Sequence, residues 1–197
     1  MALSLRVSSH ILYAFISFVL LFPYAKPLSF NFTNFSQNIV FEGDAFTANR
    51  VLQLTKNFVS TDDLTDSIGR ASYSRPVRIW DASNRRLADF TTHFSFIIRA
   101  INFSAYGDGM TFFMAPFDST MPPNFSSGFL ALFNPKATFN SSTNNIVAVE
   151  FDTFQNEWDP SEDHVGININ SIVSVAYVNW NSSLKNGSIA NAWVARR

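Results

Sequence analysis
IVAVEFDTFQNEWDPSEDHVGININS, residues 146–171, opens as a β-strand. Side chains in a strand alternate between its two faces. That places Ile146, Ala148, Glu150, Asp152 and Phe154 on one face and Val147, Val149, Phe151 and Thr153 on the other. Glu150 and Asp152 then project side by side, about 7 Å apart at the strand rise. Two carboxylates at that spacing repel by about 2 kcal/mol at an effective dielectric near ~20, so a cation is expected between them. No Lys or Arg occurs from residue 137 to 184, and the next polar groups are Asn156, Asp159, Asp163 and His164. Carboxylates with one amide and one imidazole are the donor inventory of a divalent-cation site. A solvated polar strand face is the plainer alternative, and the flanking Val and Phe argue against a fully wet strand.

Outward from this stretch the same period-2 pattern recurs. Residues 29–35 (SFNFTNF) alternate strictly, and apolar segments follow at 39–41, 51–54, 77–80, 90–101, 110–116, 165–169 and 172–180. Between them stand turn signals such as Glu42-Gly43-Asp44, Asp81-Ala82-Ser83-Asn84 and Asn144-Asn145. No segment holds a 3.6-residue period, so the pattern predicts an all-β sandwich or barrel. Residues 121–128 (MPPNFSSG) read as a surface loop. Residues 189–197 read as a strand just begun, with nothing after it to pair with, which leads us to expect a truncated product.

The 197 residues suggest one domain. A formal net charge of −1 with 15% charged residues leaves no basic stripe, which argues against nucleic acid as a partner. Residues 1–25 read as a secretory signal peptide: Arg6 supplies the positive start, 11–24 the short apolar run, and cleavage is expected near Ala25 to Leu28. Secretion to the extracellular space (the apoplast in a plant) is the expected destination. Seven Asn-X-Ser/Thr triplets, at Asn31, Asn34, Asn102, Asn124, Asn140, Asn181 and Asn186, fit a glycoprotein. With no Cys there is no disulfide, so stability must come from the core and from bound metal.

The acidic stretch can be divided into two ligand sets. Glu150, Asp152, Asp159 and His164 mix oxygens with one nitrogen, which suits Mn²⁺ or a similar transition metal. Asp152, Asp159, Asn156 and the carbonyl of Phe154 are all oxygen, which suits Ca²⁺. Elsewhere, Tyr106-Gly107-Asp108-Gly109 sets a carboxylate between glycines, either an ordinary turn or a place for a close ligand approach. Ser126-Ser127-Gly128-Phe129 offers a backbone N–H donor or merely a flexible loop.

These residues carry a resemblance. SFNFTNF (29–35), FEGDA (41–45), SIGRASYSRPVRIWD (67–81), DFTTHFSFII (89–98), AYGDGMTFFMAP (105–116), SSGFLALFN (126–134), NIVAVEFDTFQNEWDPSEDHVGININSI (145–172) and NGSIANAWV (186–194) resemble, in order and spacing, the legume lectin (L-type lectin) family. That family includes the ectodomains of plant lectin receptor kinases. The resemblance covers nearly all of 26–197, here taken as the lectin domain, and implies a concanavalin A-like jelly roll carrying a Ca²⁺/Mn²⁺ pair. By matched position, Glu150, Asp152, Asp159 and His164 would hold Mn²⁺, and Asp152, Phe154, Asn156 and Asp159 would hold Ca²⁺. Sugar would meet Asp108, the N–H of Gly128 and the amide of Asn156, and stack on Phe154. The family has a cis peptide before the Asp matching Asp108, usually after Ala; here Gly107 precedes it. Ala131 stands where the family commonly has Gly. Family domains also run on beyond this length, which implies missing strands at the C-terminus, open sheet edges and an uncovered apolar face.

The resemblance implies carbohydrate binding without turnover, glycans or glycoproteins as partners, and assembly into a homo-oligomer. A non-binding remnant of a receptor ectodomain is the alternative, associated with the plasma membrane in its longer form. A glycoside hydrolase is a third reading, since paired carboxylates can act as acid and nucleophile. Phe154 stands where some jelly-roll glucanases carry a third acid, which weighs against it.

Overall fold
The computed structural model describes residues 27–57, 64–102, 106–123, 127–180 and 185–197. The expected signal peptide and the triplets at Asn124 and Asn181 lie outside the described residues. Contacts divide the chain into Met1–Asn31, of which 27–31 are described as exposed chain without regular structure, and Phe32–Arg197, which holds every described strand.

Twelve strands lie among the described residues, with a single 3₁₀ turn at Ser127–Phe129. β1 (Ile39–Gly43) pairs with β4 (Gly69–Tyr73), β2 (Phe46–Ala48) with β3 (Val51–Gln53), and β5 (Trp80–Asp81) with β6 (Arg86–Leu87). The longer elements follow: β7 (Phe90–Arg99), β8 (Gly109–Met114), β9 (Val147–Asp152), β10 (His164–Ile169), β11 (Ser174–Asn179) and β12 (Asn186–Arg196). β11-β10-β9-β8 form one antiparallel sheet, and β12-β7 form a second, two-stranded sheet. Their facing sides share an aromatic core. Phe96 of β7, Phe151 of β9 and Ala192 of β12 are buried together, with Phe94, Met110, Val165 and Trp180 packed around them. The Phe96 and Phe151 rings lie 4.8 Å apart and Trp180 meets Phe151 edge-on at 5.8 Å, within the range in which aromatic pairs add to area burial.

The other side of β9 is also covered. Ala148 packs with Ile146, Leu132, Phe133 and Ile172 in a second core under the 127–146 segment. β9 is therefore buried on both faces: apolar Val149 and Phe151 look into the sandwich, while Ala148, Glu150 and Asp152 look under the loops. Cross-strand partners share a face, and the register aligns Glu150 with Thr111 and Gly166, and Asp152 with Gly109 and His164.

Opposite one another on β1 and β4, Glu42 and Arg70 form an ion pair at 3.3 Å. The Arg70 guanidinium also donates to the carbonyl and hydroxyl of Ser119 (3.0 and 2.6 Å) and lies 4.5 Å from the Phe113 ring centre.

Three expectations are corrected. Residues 29–35 form no strand: alternation gives two faces, but a strand needs a ladder partner, and here Asn34 takes hydrogen bonds from Ser36 N (3.4 Å) and Oγ (2.7 Å), bending the chain locally. The last segment does have a partner, because β12 pairs along β7, an element that precedes it by half the chain. Phe154 does not continue the face of Glu150 and Asp152, because β9 ends at Asp152 and Phe154 is 46% exposed.

Candidate functional site
The centre is built where β9 meets β10. Glu150 and Asp152 descend from β9, and His164 opens β10 directly across from Asp152. Ligand-type atoms of the three lie within 4.8 Å of one another, and all three residues are at most 3% exposed. His164 Nε2 lies 3.0 Å from Glu150 Oε1, and Nδ1 lies 3.2 Å from the Ser161 carbonyl. A carbonyl only accepts, so Nδ1 carries a proton and Nε2 faces the carboxylates. Ser174 on β11 donates its hydroxyl to Glu150 Oε1. Across from Glu150 stands Gly166, whose missing side chain leaves the space that the Glu150 carboxylate fills: a Cβ there would land on both Glu150 Oε1 and Ser174 Oγ.

The segment after β9 is folded by its own polar groups. Phe154 N donates to Asp152 Oδ1 (2.8 Å), Asn156 N to Asp159 Oδ2 (2.7 Å), and Asp159 N to the Asn156 carbonyl (3.1 Å). These bonds carry Asn156 and Asp159 back beside the strand end. Asn156 Oδ1 is buried and has no hydrogen-bond partner among the described residues. Buried amide oxygens are nearly always satisfied, so this atom marks a place for a ligand.

Asp108 and Gly128 approach the same segment. The Asp108 carbonyl accepts from Thr153 N (2.8 Å) and Oγ1 (3.1 Å), and the Gly107–Asp108 peptide is cis. Gly107 has φ +149°, and a Cβ on it would lie 2.9 Å from Phe154 Cβ, so Phe154 sits directly against this turn. A Cβ on Gly128 would lie 3.0 Å from Asn156 Nδ2, which seats its backbone against the amide. The structure thus brings Asp108, Gly128, Phe154 and Asn156 to one edge of the sheet, adjoining Glu150, Asp152, Asp159 and His164.

The electrostatics follow from too many acids in one buried place. Burial pushes the Asp152 carboxyl up to about 8, aided by Asp159 and Glu150 and opposed by the Phe154 N–H and by His164. Burial also raises Asp159, with Glu150 and Asp108 adding to it against the Asn156 N–H. For His164, burial disfavours the cation, but the hydrogen bond it donates to Glu150 and the charges of Glu150, Asp152 and Asp159 outweigh it, and its pKa is raised. Without another cation the cluster holds protons, which a divalent ion would displace.

Leu130 and Ala131 both lie in the left-handed region (φ +55° and +59°), which gives a backbone reason for Gly at the second position in the resembling family. Ala131 is buried nonetheless. Of the glycosylation triplets, Asn31, Asn34, Asn102, Asn140 and Asn186 are exposed. Sequence reading missed Ser174 and Gly166, although pairing arithmetic from Glu150 across HVGI would have found the glycine.

A two-sheet antiparallel sandwich with this cluster at a strand end is of the concanavalin A-like class. The family described as "Legume lectin domain" matches residues 27–195. Agglutinin-2 of Cladrastis kentukea is 45% identical over 174 residues, 85% of this chain and 59% of that protein. Among solved structures, the metal-free form of lectin I-B4 from Griffonia simplicifolia aligns with TM-score 0.78 at 42% identity, covering 87% of this chain and 74% of that one. Lectin UEA-II complexed with galactose aligns with TM-score 0.78 at 41% identity, covering 88% and 73%. The chain belongs to the legume lectin family. It spans about three-fifths of the length of the first curated relatives it matches.

Proposed function
We propose that this chain is a non-catalytic carbohydrate-binding protein whose sugar site rests on bound Ca²⁺ and Mn²⁺. The observation that carries it is the buried, unpartnered Asn156 Oδ1 beside acids that outnumber their cationic partners. An all-oxygen set of Asp152, Asn156, Asp159 and the Phe154 carbonyl fits Ca²⁺, and Glu150, Asp152, Asp159 and His164 fit Mn²⁺. Bound there, the ions supply the positive charge that the cluster lacks. Asp108, the Gly128 N–H and the Asn156 amide then offer an acceptor and two donors to vicinal hydroxyls, and exposed Phe154 offers a face for sugar C–H groups. The galactose complex of a 41%-identical neighbour supports a glycan as ligand. Turnover is disfavoured because Phe154 stands where some jelly-roll glucanases carry a third acid beside the Glu150 and Asp152 pair. Secretion, glycosylation and homo-oligomerisation belong to the same proposal, because shallow sugar sites gain avidity from multivalency.

Calorimetric titration with methyl α-galactoside, α-mannoside and α-fucoside tests it, before and after chelation. Binding by metal-loaded protein that vanishes with EDTA and returns with Ca²⁺ and Mn²⁺ is the expected result. Undiminished affinity after chelation would overturn the metal dependence. No binding to any of the three would favour the non-binding alternative, and release of reducing sugar from any glycan would restore the hydrolase reading.

A further inference from the structure
Lys185 is the first cation after an uninterrupted stretch, 137–184, that holds Glu150, Asp152, Glu157, Asp159, Glu162 and Asp163. Its side chain is 13% exposed and its ammonium has two partners: Asp163 Oδ1 at 2.9 Å and the Tyr106 hydroxyl at 2.7 Å. The backbone of Lys185 is fixed separately, since its carbonyl accepts from Ala100 N (2.8 Å) just past the end of β7. One side chain therefore joins three segments: the β7–β12 corner, the residue before the cluster's His164, and the residue before the Gly107–Asp108 turn.

The last junction matters most. Asp108 lies between two glycines with φ +149° and +147°, a backbone that constrains itself little. On its C-terminal side Asp108 runs into β8, and its carbonyl is held by Thr153. On its N-terminal side the Gly107 backbone packs against Phe154, and Tyr106 adds a polar anchor, its hydroxyl taking the charge-assisted bond from Lys185. Asp163 is tied in turn to the sheet, with its carbonyl accepting from Trp180 N (2.9 Å). A charge-assisted bond is stronger than a neutral one.

We infer that Lys185 is a positioning residue for the sugar site, holding the Tyr106–Asp108 turn against the end of the metal-ligating loop so that the Asp108 carboxylate is presented in register with Asn156 and Gly128. This rests on the carbohydrate-binding reading above. It assigns Lys185 no contact with sugar or metal.

The test uses the full chain loaded with Ca²⁺ and Mn²⁺, carrying Lys185→Met, Lys185→Arg, Tyr106→Phe or the Met/Phe pair. The probe is whichever methyl glycoside (α-galactoside, α-mannoside or α-fucoside) binds the unsubstituted chain best. Lys185→Met is expected to weaken it about tenfold, the effect of one charge-assisted bond. Tyr106→Phe should weaken it comparably, the double variant no further because one linkage is broken, and Lys185→Arg should recover most of the loss. Amide hydrogen exchange at Gly107–Gly109 should quicken by a similar factor in Lys185→Met, while exchange in β9 and metal content by elemental analysis stay unchanged. Unaltered affinity and exchange in Lys185→Met would overturn the inference, as would loss of metal, which would make Lys185 a support of the metal loop alone. If the unsubstituted chain binds none of the probes, the carbohydrate reading fails by itself, and the exchange at Gly107–Gly109 still decides whether Lys185 positions the turn.

Discussion

Two residues at the site act through what they lack. Gly166 lacks a side chain, and the Glu150 carboxylate and Ser174 hydroxyl occupy the vacated volume. Gly166→Ala therefore has to expel one of them, and metal affinity is expected to fall at least about tenfold, one lost charged contact, by titration calorimetry. Asn156 lacks a partner for its buried Oδ1. An unsatisfied buried oxygen costs about 1–3 kcal/mol, so Asn156→Ala should leave the metal-free chain as stable as before or about 1 kcal/mol more stable in urea unfolding. The same substitution should abolish Ca²⁺-dependent sugar binding. A ligand atom held in reserve gives those opposite signs; a purely structural amide would give destabilisation and no binding effect.

At the scale of elements, β9 and its partners set the response to pH. The folded state of the metal-free chain holds a proton on Asp152 up to about pH 8, whereas the unfolded chain releases it near the ordinary value of 3.8. The native state then binds more protons, so stability falls as pH rises from about 4 towards 8. His164 slopes the same way: its raised pKa contributes stability below its ordinary 6.5 that is lost as pH climbs through the folded value. Urea midpoints of chelated protein should drop steadily from pH 5 to pH 8.5, and metal affinity should rise over that range as protons are more easily displaced. The β1–β4 pair makes a second prediction. Glu42→Ala strands the Arg70 guanidinium, only 4% exposed, without its carboxylate, and also removes the acceptor of Met121 N (2.7 Å). Breaking a buried pair in this way costs about 3–5 kcal/mol, readable as a lower urea midpoint. That same pair shows why β4 was invisible in the sequence: GRASY puts an Arg inward, against the alternation rule. The paired acids of β9 were legible because alternation alone aims Glu150 and Asp152 together. Their partner His164 was legible as a donor but not as a neighbour, since its place depends on the β9–β10 register. Residues 29–35 show the converse, a clean alternation with no ladder to join.

Across the molecule, the sandwich is unevenly covered. On the inward face of the four-stranded sheet, Phe151 is buried while Ile167 (43%), Ile169 (47%) and Val178 (65%) are open to water. Contiguous apolar surface of this kind drives association. This chain expressed by itself should bind a hydrophobic dye such as ANS and grow in hydrodynamic radius with concentration in light scattering; a dye-silent monomer at all concentrations would contradict the exposed face. The β7–β12 ladder adds a matter of timing. Phe90 faces Arg196, about a hundred residues later in synthesis. At roughly 5–20 residues per second, β7 leaves the ribosome several seconds before β12, its partner among the described residues, and Phe94, Phe96 and Ile98 wait that long for this pairing. A chaperone that shields aromatic segments would find its window there, and the yield of folded chain would depend on the pace of translation between the two strands.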